Sequence, residues 1–263
     1  MQRLERTRPR SVLGPYLFHR IFPFIFELPK RSCSMEIVMI HGQSHKGSTY
    51  HIARNLALKI GGDIKEFFLP RDFGEFCIGC TKCFLESEKK CPHYDKLKPL
   101  TEAMDRADLI ILASPVYVMH ATGAMKAFLD HYGYRWMVHR PEKAMFSKQG
   151  ICISTAAGAG MKSAMKDMAD SLFFWGISEI YRYGKAVFAV KWQDVSEKNK
   201  KTIDKELSSL AKKIRRNYGK AKTGIKTKLV FHAIRLLQRK GWNKADLEYW
   251  RERGWLDKKR PWS

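Results

Sequence analysis

Long apolar runs are missing from this chain of 263 residues. The most apolar early stretch, within residues 1–34, is broken by Pro15, His19, Arg20 and Pro23. It therefore falls short of the roughly 20 consecutive apolar residues that a membrane-spanning helix requires. No small-residue cleavage site follows it, so a secretory leader is not expected and the protein is expected to be cytoplasmic. Proline and glycine are modest at 10 and 18 residues, which excludes a collagen-like or largely disordered chain. Cysteine is scarce at six, and Cys33 and Cys152 stand far from the other four. A secreted disulfide framework is thus poorly supported. Also absent are Gly-x-Gly-x-x-Gly and Gly-x-x-x-x-Gly-Lys-Ser/Thr, the loops of dinucleotide-binding and nucleoside-triphosphatase domains.

What is present is an excess of positive charge, with 49 Lys and Arg against 26 Asp and Glu. It is concentrated at the ends. Residues 1–34 hold seven basic and two acidic residues, residues 195–263 hold 21 and seven, and the intervening segment holds 21 and 17. No recognised nucleic-acid module accompanies the basic residues, so nucleic acid is not an expected partner. The length and the 44% hydrophobic content suit one substantial core. The expected organisation is an extension over residues 1–34, poorly ordered, a domain over 35–218, and a basic, Trp-rich helical extension over 219–263.

The domain opens with Ile37-Val38-Met39-Ile40, a short apolar run as expected of a strand buried on both faces. The loop Gly42–Thr49 follows. Then Ile52, Ala53, Leu56, Ala57 and Ile60 recur at helical spacing. A helix start offers unpaired N–H groups and the positive end of the macrodipole to an anion. Ser44, Ser48 and Thr49 add hydroxyls and Lys46 adds charge, which suits a phosphate monoester such as that of FMN. The alternative is that Ser48 or Thr49 is simply an N-cap.

Four cysteines lie together as Cys77-x2-Cys80-x2-Cys83-x7-Cys91, with Pro92 next. Three thiolates on one tight loop and a fourth after a longer excursion suit an iron–sulfur cluster. Zinc sites more often present two separated knuckles. Reduced structural or redox-active thiols without metal are the third reading.

Leu109–Ala113 is the strongest strand signal, and it runs into Ser114–Gly123, with a helix expected from Ala124. Open α/β sheets bind ligands at the carboxyl end of such strands. Pro115 fixes the backbone there, and Tyr117 offers an aromatic face to a planar ring or simply anchors the loop. A further strand, Gly150–Ser154, leads into Thr155-Ala156-Ala157-Gly158-Ala159-Gly160, small residues that allow close approach to a flat ligand. Cys152 reads as a core thiol. Ile177–Val190 is the expected last strand and Ser196–Arg216 the last helix of the domain. In the tail, Ile225–Lys240 reads as an amphipathic helix that docks on the domain or on a second subunit through tryptophan anchors at 242, 250, 255 and 262. Contact with an anionic membrane surface is the weaker reading.

Over about residues 35–190 the chain resembles the flavodoxin-like NAD(P)H-dependent FMN reductases, and among them the iron-sulfur flavoproteins. The resemblance rests on Gly42–Thr49, the cysteine cluster, Ser114–Gly123 with Lys126 and Asp130, and Thr155–Gly160. It departs in lacking a Gly-Ser-Pro-Arg loop opening and in carrying His131 after Asp130. It implies a three-layer α/β sandwich with a five-stranded parallel sheet in the order 2-1-3-4-5. It implies FMN phosphate at Ser44, His45, Lys46, Gly47, Ser48 and Thr49, and the isoalloxazine beside Pro115, Val116, Tyr117, Thr155, Ala156, Ala157 and Gly158. By the same resemblance Cys77, Cys80, Cys83 and Cys91 match a 4Fe-4S motif. The implied activity draws electrons from NAD(P)H, or from a reduced cluster, and delivers them to a small acceptor such as a quinone or a flavin. An electron carrier between protein partners is the alternative. The implied assembly is a homodimer or homotetramer, and no side chain is assigned a catalytic proton.

Overall fold

The computed structural model describes residues 34–263. The expected N-terminal extension lies outside the described residues, apart from Ser34. Along the chain run β1 (Glu36–His41), α1 (Ser48–Ile60), β2 (Asp63–Phe68), α2 (Lys82–Leu85), α3 (Tyr94–Arg106), β3 (Leu109–Ala113) and α4 (Gly123–Asp130). Then come β4 (Gln149–Ala156), α5 (Met161–Phe174), β5 (Glu179–Ala186), α6 (Glu197–Arg216), α7 (Ile225–Gln238) and α8 (Lys244–Glu252).

The five strands form one parallel sheet in the order β2-β1-β3-β4-β5, as the resemblance implied. Alternate residues of each central strand face opposite sides, so both must be apolar. Val38, Ile40, Ile110, Leu112 and Cys152 pack against Leu100 and Met104 of α3, Phe128 of α4 and Leu172 of α5. Ile37, Met39, Ile111 and Ile153 pack against Ile52 and Leu56 of α1 and Ile203 and Leu207 of α6. The result is a three-layer α/β sandwich. Each large apolar side chain buried in it contributes about 1.5–3 kcal/mol of transfer free energy.

A third cluster lies in the C-terminal segment. Phe231 and Ile234 of α7 and Trp250 of α8 join Trp255, Met137 and Phe146, with the Phe231 and Trp250 rings stacked at 4.7 Å. Two of the four expected tryptophan anchors, Trp250 and Trp255, are thus buried, and Trp262 is partly so. Trp242 is not an anchor: it follows the helix end and is 77% exposed.

β5 stops four residues short of the expected Val190. Val187 N–H still donates to Ala156 O at 2.9 Å, but Phe188 then adopts φ 51°, outside the extended region. The cysteine stretch contains the four-residue α2, which buries no side chain and so left no apolar periodicity to read.

Candidate functional site

All five strands leave connections at the carboxyl edge of the sheet, where open parallel sheets take their ligands, and those after β1, β2, β3 and β4 carry the expected site residues. The first and third are held against each other through Gly42. Its N–H donates to Ala113 O at 2.7 Å, and its carbonyl accepts from Thr122 Oγ1 at 2.6 Å. A Cβ on Gly42 would stand 2.9 Å from both Ser114 Oγ and Thr122 Oγ1, so only glycine lets β1 turn here. Thr122 also caps α4, accepting from Met125 N–H.

The first loop then delivers its hydroxyls to the start of α1. That helix has no side-chain N-cap bond and no acidic residue in its first turn. An uncapped helix N-terminus keeps its donors and its positive end available to an anion. Ser48 is buried, and its hydroxyl has no hydrogen-bond partner among the described residues. Buried hydroxyls are normally paired, so Ser48 keeps an unused hydrogen-bonding hydroxyl at the start of α1. The simple N-cap reading fails for both residues, because the cap position is Gly47 and Thr49 points elsewhere.

Thr49 Oγ1 meets Thr155 Oγ1 at 2.6 Å, joining the loop after β1 to the end of β4. Ser44 Oγ donates to Leu69 O at 3.2 Å, and Lys46 Nζ stands 5.3 Å from the centre of the Tyr50 ring. His45 Nε2 lies 3.3 Å from Gln43 Nε2. His41, at the end of β1, is buried against Phe68 with Glu66 at 3.0 Å. Burial outweighs the carboxylate and holds its imidazole below the ordinary value.

In the loop after β3, Tyr117 and His120 exchange backbone bonds of 2.9 and 3.0 Å around Val118 and Met119, at φ 47° and 69°. A β-branched residue in that region is strained, and Val118 is 95% exposed. Tyr117 Oη donates to Gln43 Oε1 at 2.8 Å, and Val116 N–H donates to Thr155 O at 2.9 Å. Pro115, Val116 and Tyr117 therefore sit across from both neighbouring loops. Thr155 and Ala156 belong to β4 rather than to the loop after it, because β5 pairs with them through Lys185 and Ala186. Ala157 and Gly158 follow the strand, and Ala157 O accepts from Phe188 N–H at 3.1 Å. Gly160, at φ 95°, lies so close to the β3 loop that a Cβ would meet Val116 Cγ1 at 2.6 Å. Gln43, Thr122 and Phe188 were not singled out in the sequence. Gln43 and Thr122 had a signal, their places inside the loops Gly42–Thr49 and Ser114–Gly123.

The connection after β2 carries the cysteines. Gly79 and Thr81 flank Cys80 with φ 67° and 57°, curling the loop tightly. Cys77 is exposed, while Cys80, Cys83 and Cys91 are half-buried. Burial, then the thiols of Cys91, Cys77 and Cys80, push the Cys83 thiol up to about 11. Burial also raises Cys91, with Cys80 and Cys77 adding to it. All four sulfurs are thus near enough to influence one another. Among the described residues, the metal-type set within 4.8 Å is a different one, Cys91, His93 and His131, with His93 Nδ1 2.9 Å from His131 Nε2. The four cysteine sulfurs do not form such a set.

Nothing in the sequence pointed to the clasp on this loop. Arg140 donates to the carbonyls of Cys83 and Phe84 and pairs with Asp246 of α8 at 2.5 Å, while Asn243 Nδ2 reaches Phe84 O at 2.9 Å. Asp246 also meets His139 Nδ1 at 2.7 Å. The C-terminal segment thus fastens the backbone that presents the thiols.

The profile of the NADPH-dependent FMN reductase family matches residues 35–191, the whole sheet with the connections after β1, β2, β3 and β4. The chain belongs to this family. An iron-sulfur flavoprotein of Archaeoglobus fulgidus is 28% identical over 232 residues, 84% of this chain and all of that protein. One from Methanocaldococcus jannaschii is 26% identical over 196 residues, 70% of this chain and 96% of that one. The azoreductase AzrA shares the fold with a TM-score of 0.51 at 12% identity, over 67% of this chain and 99% of that one. As a member of the family, the protein is a flavin-dependent oxidoreductase with FMN as its cofactor.

Proposed function

We propose that the protein is an NAD(P)H-dependent reductase that holds FMN across its three small-residue loops, takes electrons from NADH or NADPH, and delivers them to a small acceptor such as a quinone or a flavin. The observation that carries the placement is the buried, unpartnered Ser48 hydroxyl at the uncapped, acid-free start of α1. Ser48 and the α1 backbone would hold the phosphate, with Ser44, His45, Lys46, Gly47 and Thr49 shaping the loop around it. Pro115, Val116 and Tyr117 on one side and Thr155, Ala156, Ala157 and Gly158 on the other would border the isoalloxazine. When bound, the flavin supplies hydride acceptance and onward one- or two-electron transfer.

The protein's part is orientation. The Thr49–Thr155 and Tyr117–Gln43 bonds fix the loops relative to one another, and the tight Gly160–Val116 approach leaves no slack between two of them. Cys77, Cys80, Cys83 and Cys91 would ligate a 4Fe-4S cluster, a reading favoured by an all-thiol donor set on one connection without the two separated knuckles of a zinc site. The relatives named iron-sulfur flavoproteins support the same reading. We place the protein in the cytoplasm as a homodimer or homotetramer.

A second reading, an electron carrier serving protein partners, draws on Phe76, Ile78 and Leu85, which are exposed beside the thiols. Anaerobic absorbance with iron, sulfide and flavin assays, followed by NADH and NADPH oxidation in the presence of a soluble quinone, separates the two. Bound flavin, about four irons per chain and rapid turnover are expected. Bound flavin that neither nucleotide reduces would overturn the reductase in favour of the carrier.

A further inference from the structure

Helix α7 has two apolar faces. Phe231 and Ile234, with Thr227 and Gln238, are turned inward. On the opposite side Ile225, Leu229 and Leu236 are 80%, 65% and 57% exposed. With 3.6 residues per turn, these three fall within about 40° of one another. Leu237 widens the strip, and Trp242 continues it beyond the helix end. A helix whose task ended at covering the domain would carry polar residues there.

Cations border the strip on both margins, Lys226 and Lys240 on one and Lys228, Arg235 and Arg239 on the other. No Asp or Glu occurs between Glu206 and Asp246, a segment holding twelve Lys and Arg. Arg260 joins the same crowd: partial burial, then Arg235 and Arg239, hold its guanidinium below the ordinary value.

We propose that this face of α7 docks on an anionic lipid surface, the helix lying in the head-group plane with Ile225, Leu229, Leu236 and Trp242 entering the acyl boundary. Charge complementarity selects the partner, since a basic segment near anionic head groups gains roughly fivefold in affinity per cation. The aliphatic centre offers nucleic-acid bases no surface to stack on. Cations on both margins and a tryptophan at one end match a layer of head groups rather than a single peptide. This contact stands apart from the cofactor loops and does not depend on how they are assigned.

The test is flotation of the full-length, flavin-loaded protein with vesicles of phosphatidylcholine alone or mixed equally with phosphatidylglycerol. Wild type is expected to bind the mixed vesicles roughly tenfold or more better than the neutral ones, and less well as salt rises. The double variant Leu229→Ser/Leu236→Ser alters only exposed side chains. It is expected to keep its flavin content and melting temperature while losing at least roughly tenfold in anionic-vesicle binding. Three results would overturn the proposal. Wild type could ignore anionic vesicles, or the double variant could float as wild type does. In the third, the variant falls from an oligomer to a monomer in sedimentation, which would make the strip a contact between copies of this chain.

Discussion

Ser48 and Asp246 make opposite kinds of claim on their surroundings. The Ser48 hydroxyl is buried without a partner, so in flavin-free protein it costs stability, and Ser48→Ala should leave the apo melting temperature unchanged or slightly higher. Hydrogen bonds to charged groups contribute about 1.5–3 kcal/mol, so the same change should weaken FMN binding roughly ten- to hundredfold in a fluorescence titration. Asp246 is buried and fully engaged by Arg140 and His139. Asp246→Ala strands a buried guanidinium and should cost about 3–5 kcal/mol in urea unfolding, with faster amide exchange in the loop around Cys83 and Phe84. The connections after β1, β3 and β4 were legible, because each follows an apolar run that reads as a strand. The partners of Gln43, Thr122 and Arg140 were not. Those contacts span 74, 80 and 106 residues of sequence, and no local pattern encodes them.

Elements were read best where burial is complete. β1 and β3 are apolar on both faces, and their runs announced them. The end of β5 did not, since Val187, Ala189 and Val190 continue the apolar character that Phe188 interrupts only in its backbone angle. The junction between α5 and its preceding loop is set by Gly160, at φ 95° with Val116 packed against it. Gly160→Ala must both strain the backbone and push the β3 loop away. A cost of about 1–3 kcal/mol is expected, read as a lower melting temperature together with weaker FMN binding, because two of the bordering loops shift apart. An unchanged FMN affinity would mean that those loops do not border the flavin.

At the scale of the whole molecule, the sheet order and three layers followed from hydrophobic patterning and resemblance together, while the C-terminal clasp came from neither. Stability should also respond to acid. His41 is held below its ordinary 6.5 by burial, and His51 and His232 shift the same way. The folded protein therefore binds fewer protons than the unfolded chain near neutrality. The contribution is fully present above 6.5 and is lost as pH falls through the lowered folded value. Urea midpoints should drop as pH falls below 6.5, and His41→Gln should flatten that slope. The clasp has a consequence for how the protein is made. Asn243 follows the Phe84 carbonyl it holds by 159 residues, and synthesis runs from the amino end. The ribosome therefore releases the thiol loop long before the residues that fasten it, and its backbone stays unfastened until the segment around 243–246 has emerged.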